Sequence, residues 1–227
     1  LVLAVFGDVK KDAVAAAVAA AFADLPANPP PAWPALPPPP AGAVRKEKQL
    51  PFKQTVLVRA WPGIAAGDPR EDAVSVLMDA LSGLSSDLFI EVRDKRGLAY
   101  YVGATHFTGP VGGLFTIYAG TTSEGRAEVE AQIQAQTERL RGAGLRPEEF
   151  ARAVEQLRAE QARTLQNNGA MAQQCALDEL LGLGYRHSLT TAERLQNLTP
   201  DAVRAAAESI FSSPGEAVAV VLPGDAP

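Results

Sequence analysis

The sequence predicts an α+β fold, a two-layer sandwich in which a mostly antiparallel sheet is packed by helices. Three observations predict it. Short runs rich in β-branched and aromatic residues recur at 54–61, 98–107, 114–119 and 217–222, and a glycine-rich turn joins two of them as a hairpin. Between and after them lie longer segments with apolar residues at helical spacing. These helical runs do not alternate strictly with the strands, which argues against a parallel doubly wound sheet. With 227 residues, 47% of them hydrophobic and 21% charged, the chain can bury a full core of one to two domains.

Residues 1–6, LVLAVF, form a continuous apolar run before Gly7-Asp8 and read as a buried strand. Asp8 is the expected cap of a helix reaching Phe22, with Val14, Val18 and Phe22 on one face. Residues 26–42 hold half of the chain's 18 prolines. Proline removes N–H donors and fixes φ, so this segment reads as a semi-rigid, polyproline-like linker. Strands over 44–50 and 54–61 follow. Asp68-Pro69-Arg70-Glu71 supplies a cap, an N1 proline and an acidic third residue for a helix carrying Val74, Leu77, Met78 and Leu81.

Next comes the stretch 84–120. Ser85 or Ser86 caps a short helix with Leu88, Phe89 and Val92 inward, and Gly97 ends it. A hairpin follows, its turn marked by Gly109-Pro110 and Gly112-Gly113. Beyond it the chain is mostly helical. Val129, Ile133 and Leu140 mark one helix, and Pro147 opens a second with Phe150, Val154, Leu157 and Leu165 inward. Helices at 171–183, 192–195 and 199–211 precede a last strand at 217–222. That strand closes on Pro223-Gly224-Asp225 and repeats the "apolar strand, then Gly-Asp" close of residues 1–8. The repeat suggests a duplicated domain, with 1–25 as the last strand and helix of a truncated preceding copy, 26–42 as linker and 43–227 as the C-terminal domain.

Several chemistries are excluded. A formal net charge of −5 argues against nucleic acid or an anionic membrane surface as the main partner, and no run is long and apolar enough for a membrane span. A single cysteine, Cys175, permits no internal disulfide and sits in an apolar helical pattern as a core residue. His106 and His187 have no helical partner at metal spacing, so no zinc site is expected within this sequence. Neither a GxSxG elbow nor a phosphate-binding glycine loop occurs.

What remains is Arg93 at the end of the short helix and Tyr100 at the start of the strand, on either side of the glycine turn. The segment RDKRGLAYYV, preceded by LF and followed by a glycine-rich hairpin, resembles the pitrilysin, insulinase and mitochondrial processing peptidase family of zinc metallopeptidases. The likeness is to that family's second, zinc-less domain. It implies a metallopeptidase-like fold and a peptide or protein substrate. Zinc would be held by an inverted HxxEH motif in another domain or subunit, in a hetero- or homodimer, with no cofactor in this chain. It also implies site roles: Arg93 binds the substrate backbone, and Tyr100 meets the substrate carbonyl and its developing oxyanion. Tyr101 alternates to the other sheet face, and only Arg93, not Arg96, has the family spacing to Tyr100. Localisation follows only from the family, as bacterial periplasm or cytoplasm. Residue chemistry alone leaves alternatives open. A cation in a last helical turn complements the helix dipole, and an aromatic opening a strand is ordinary core material. A catalytically inert scaffold of the same fold, like the core proteins of the bc complex, and an unrelated α+β binding domain are the competing expectations.

Overall fold

The computed structural model describes residues 1–26, 28–29, 32–83 and 85–224. Five strands form one sheet in the order β1-β5-β2-β4-β3. They are β1 (Val44–Leu50), β2 (Thr55–Gly63), β3 (Ala99–Thr108), β4 (Gly113–Thr121) and β5 (Ala217–Pro223). Strands β1 and β5 run parallel; the pairs β2–β5, β2–β4 and β3–β4 are antiparallel. The sheet is therefore mixed but mostly antiparallel, and the α+β sandwich expected from the sequence holds.

The layer against it consists of α2 (Glu71–Ala80), α4 (Arg126–Gly142) and α8 (Pro200–Phe211). Behind α2 lie α5 (Pro147–Leu165) and α7 (Thr191–Gln196), and α6 (Asn168–Leu180) packs on α5. The core sits between the layers because alternate strand residues face the helices. Leu57 and Trp61 of β2 and Phe115, Ile117 and Ala119 of β4 meet Val74, Leu77, Ile133, Val203 and Ile210. Trp61 and Phe115 each pack edge-on against Phe211, with ring centroids 5.0 and 5.5 Å away.

The N-terminal segment departs from expectation. Residues 1–6 pair with no described strand, and Leu1, Leu3 and Val5 are exposed rather than buried. The helix after them, α1 (Lys11–Ala21), buries no residue. It begins three residues beyond Asp8, which does not cap it; Lys10 holds the N-cap position without a side-chain bond. An apolar run becomes a strand only when a neighbouring backbone satisfies its N–H and C=O groups, and none of the described residues offers one. The proposed match of the two domain closes also rests on Asp225, which lies outside the described residues, as does Leu84.

Two other expectations shift by a residue or a turn. Asp68 does not cap α2. Its carboxylate takes the Arg70 N–H at 2.9 Å in a turn just before the helix. The helix expected over 85–97 is only one α-turn, α3 (Asp87–Phe89), continued as a π-helical turn over Ile90–Lys95. Ser86 is its cap, accepting the Phe89 N–H at 3.1 Å, and Gly97 ends it at φ +61°, a conformation that costs glycine nothing.

Candidate functional site

Arg93 lies in the π-helical turn and Tyr100 in β3, separated by the Gly97-Leu98 turn. The turn is closed by backbone bonds from Gly97 N–H to Arg93 O at 3.0 Å and from Leu98 N–H to Val92 O at 2.8 Å. The second bond spans six residues and widens the end of the helix beyond an α-turn, and β3 starts at the next residue, Ala99. Thr121 at the end of β4 is fully buried and donates its hydroxyl to Leu98 O, which fixes the entry to β3 from the neighbouring strand.

Both site residues are exposed, Tyr100 at 56%. The pairing of β3 with β4 explains the tyrosine. Ala99 opposes Thr121 and Tyr101 opposes Gly120, so Tyr100 is the extra residue of a β-bulge with no cross-strand partner. Bulges re-aim a side chain out of the regular alternation. Tyr101 does follow the alternation. It lies on the sheet face away from the helices, with its ring 6.2 Å from that of Tyr118.

The charged residues around the turn sort themselves by partner. Lys95 pairs with Glu91 at 2.5 Å and Arg96 with Glu128 at 2.7 Å. Arg93 makes no ion pair or side-chain hydrogen bond among the described residues. Instead its guanidinium stacks on the Phe89 ring, 4.9 Å from the centroid. Of the two arginines weighed from the sequence, Arg93 is thus the one with its donors free. The Tyr100 hydroxyl likewise has no hydrogen-bond partner among the described residues, and no bond joins it to Arg93. The arrangement can offer a planar, permanently charged fork and a phenolic hydroxyl to an oxygen-rich ligand.

The histidines serve structure. His106 is half-buried; its Nε2 accepts the Ile64 N–H at 3.2 Å and its Nδ1 lies 3.1 Å from Thr108 Oγ1. Burial pushes its pKa below the usual imidazole value. His187 Nε2 lies 3.3 Å from Glu71 Oε2, on a different part of the molecule. Among the described residues, no group of three or more His, Cys, Asp or Glu could hold a metal ion. Cys175 is buried, and its thiol is pushed up by burial and by Asp178.

Sequence reasoning missed three supporting residues: Phe89 beneath Arg93, Thr121 behind the bulge, and Ser82. The Ser82 hydroxyl donates to Ala104 O at 2.9 Å and accepts Ala104 N–H at 3.1 Å, sealing the free edge of β3 midway along. Phe89 was visible in the LF pair, though without a role; the other two act across the chain and leave no local signal.

Comparison with known proteins adds the family. A model described as the peptidase M16 inactive domain matches residues 1–157. The chain belongs to the peptidase M16 inactive-domain family. An uncharacterised zinc protease of Streptomyces coelicolor is 34% identical over 160 residues, covering 70% of this chain and 35% of that protein. An uncharacterised zinc protease of Bacillus subtilis is 30% identical over 138 residues, covering 60% of this chain and 34% of that protein. This M16 domain thus spans about a third of the length of those curated relatives. A crystal structure of a peptidase M16 inactive domain from Pseudomonas fluorescens superposes with a TM-score of 0.85 at 26% identity, over 97% of this chain and 52% of that one. The metallopeptidase-family resemblance of the Arg93–Tyr100 segment therefore holds at the level of the whole domain. No helix among the described residues is long and apolar enough to cross a membrane.

Proposed function

We propose that this domain is the substrate-binding half of a zinc peptidase whose metal is held by another domain or subunit. Arg93 binds the peptide backbone beside the scissile bond, and Tyr100 donates its hydroxyl to the carbonyl oxygen as it gains negative charge. Zinc, where present in that other unit, supplies the Lewis acid; this chain orients the peptide and stabilises charge. The observation that carries the proposal is the exposed Arg93 guanidinium, without a carboxylate partner among the described residues, while Lys95 and Arg96 beside it are paired. A preorganised fork and hydroxyl favour an oxygen that becomes an anion over one that remains neutral.

Residues 1–25 fit the same proposal as the closing strand and helix of a preceding domain. Leu3, Val5 and Val9 are exposed, and together with Val14 and Val18 they present an apolar face. A neighbouring sheet and core would cover that face. A complete peptidase is then this chain joined to a zinc-bearing unit, as a hetero- or homodimer or within one longer polypeptide.

The test is made in the assembled, zinc-loaded enzyme with an internally quenched peptide as substrate. Arg93→Ala and Tyr100→Phe should each lower kcat/KM on the order of 10²-fold, with zinc content unchanged. Full activity in both variants would instead mark the domain as an inert scaffold of the same fold.

A further inference from the structure

We infer that Phe89 is a positioning residue for Arg93, its ring serving as a fixed ledge that holds the guanidinium ready for the peptide. The inference rests on the proposed role of Arg93 and adds to it the residue that orders the side chain.

The ring is held from behind by the fold. Phe89 is 8% exposed and belongs to the hydrophobic core. Its backbone N–H is taken by Ser86 Oγ at 3.1 Å, and Ser86, 1% exposed, donates in turn to Gly83 O at 3.0 Å. Gly83 stands at φ +81°, where a side chain would be strained. One residue along, Asp87 accepts Arg146 Nη2 at 2.5 Å. Arg146 also gives its backbone N–H to the buried Glu149 at 2.7 Å, and Glu149 is gripped by both Nη atoms of Arg139 at 2.8 and 3.0 Å. The short helix under Arg93 is thereby tied to the junction of α4 and α5. A core residue fixed this firmly still presents one ring face to Arg93, 4.9 Å from its guanidinium carbon.

An arginine side chain on an open surface samples many rotamers, and ordering it on binding costs affinity. Among the described residues no carboxylate or carbonyl orders Arg93. The Phe89 ring does so by dispersion and by attraction between the cation and the π face. It also leaves the N–H edge of the fork free, because stacking uses the faces of the guanidinium and not its donors. A carboxylate in that place would fix the side chain equally well but occupy the donors that a peptide carbonyl needs.

The test is a double-mutant cycle on the assembled, zinc-loaded enzyme with the internally quenched peptide. Phe89→Leu should lower kcat/KM about 5-fold when Arg93 is present, moving the same parameter, KM or kcat, that Arg93→Ala moves. In the Arg93→Ala background the same substitution should cost nothing further. Phe89→Tyr, which keeps the ring, should retain wild-type turnover. If Phe89→Leu lowers the melting temperature of the assembly, Phe89→Met, which refills the volume without a ring, replaces it in the cycle. Equal losses in both backgrounds, or no loss with Arg93 intact, overturn the positioning role and leave the role of Arg93 standing. An Arg93→Ala variant with full activity overturns the proposed function itself and this inference with it.

Discussion

Ser82 at the end of α2 faces Ala104 in β3 and satisfies both of its outward backbone groups, donating at 2.9 Å and accepting at 3.1 Å. Strand β3 is an edge of the sheet, and its ten residues AYYVGATHFT carry no lysine, glutamate or proline to deter pairing with another chain. The fold covers this edge with a hydroxyl. Ser82→Ala should therefore destabilise the domain by about 1–3 kcal/mol, because it strands a part-buried N–H and C=O. Denaturant unfolding measures the loss, and amide exchange at Ala104 should accelerate with it. An unchanged midpoint and unchanged protection would mean that water replaces the hydroxyl.

The second prediction concerns pH. His106 contributes as a neutral ring, since its Nε2 must accept the Ile64 N–H, and burial lowers its pKa from 6.5. A lowered imidazole pKa means that the stability is fully present above about pH 6.5 and is lost as pH falls through the folded value. Asp79 works the other way. It is half-buried, its Oδ2 has no hydrogen-bond partner among the described residues, and desolvation raises its pKa from 3.8 to about 6, against the attraction of Arg152. Its contribution is present at low pH and lost as pH rises through about 6. Between pH 7 and 5 the two oppose each other. His106→Gln should show a flatter or rising stability on acidification, and Asp79→Asn a steeper fall than wild type. Asp79→Asn should also stabilise the domain at pH 7 by about 1 kcal/mol, well under the full linkage value because solvent still reaches the group. Unfolding midpoints at several pH values decide both signs.

Much of this fold can be read from the chain because its signals are local. Strands β4 and β5 coincide with apolar runs rich in β-branched or aromatic residues, and α8 runs from the Thr199 cap with Pro200 after it to Phe211. The α+β class follows from the order of these elements. Features that shape the site are not local. The bulge at Tyr100 depends on the register between β3 and β4, and the π-turn under Arg93 depends on Leu98 reaching back to Val92. The Ser82–Ala104 seal joins residues 22 apart. Arg93 and Tyr100 themselves were legible only through family resemblance. A cation at a helix end and an aromatic in a strand are both ordinary, and the absence of a carboxylate partner for Arg93 among the described residues appears only once Glu91 and Glu128 are seen bonded elsewhere. Residues 1–6 misled for a related reason, since pairing requires a neighbouring strand that none of the described residues supplies.

A third prediction follows from the outer face of the sheet. Gly120 lies opposite Tyr101, and a β-carbon at Gly120 would overlap the Tyr101 ring. The glycine is there for space, since its φ is not positive. Gly120→Ala should force the ring off its contact with Tyr118 and cost about 1–3 kcal/mol. In a Tyr101→Ala background the same change should be nearly silent, giving a large coupling in a double-mutant cycle. Additive losses would show that the Gly120 backbone, not the ring, is what the alanine disturbs.

The last prediction concerns the ion pair at the start of α5. Glu149 is 1% exposed, and three donors meet its carboxylate: both Nη atoms of Arg139 and the backbone N–H of Arg146. A buried carboxylate survives only when its lone pairs are filled in this way. Removing it leaves the Arg139 guanidinium partly buried with its main partner gone, although Gln136 and Gly144 O still accept from it. Glu149→Ala should therefore cost about 3–5 kcal/mol. Glu149→Gln should recover part of that, because its amide oxygen still accepts one of the bonds. Arg139→Met tests the other half. It leaves the buried carboxylate only the Arg146 N–H and, at 3.3 Å, the Arg146 guanidinium, and should cost somewhat less than Glu149→Ala, whereas the double variant Arg139→Met with Glu149→Leu should be milder than either single change, since it removes both members of the buried pair. Urea unfolding of the four variants separates these outcomes. A double variant as unstable as the sum of the singles would mean that the pair supports the α4–α5 junction by shape and not by charge.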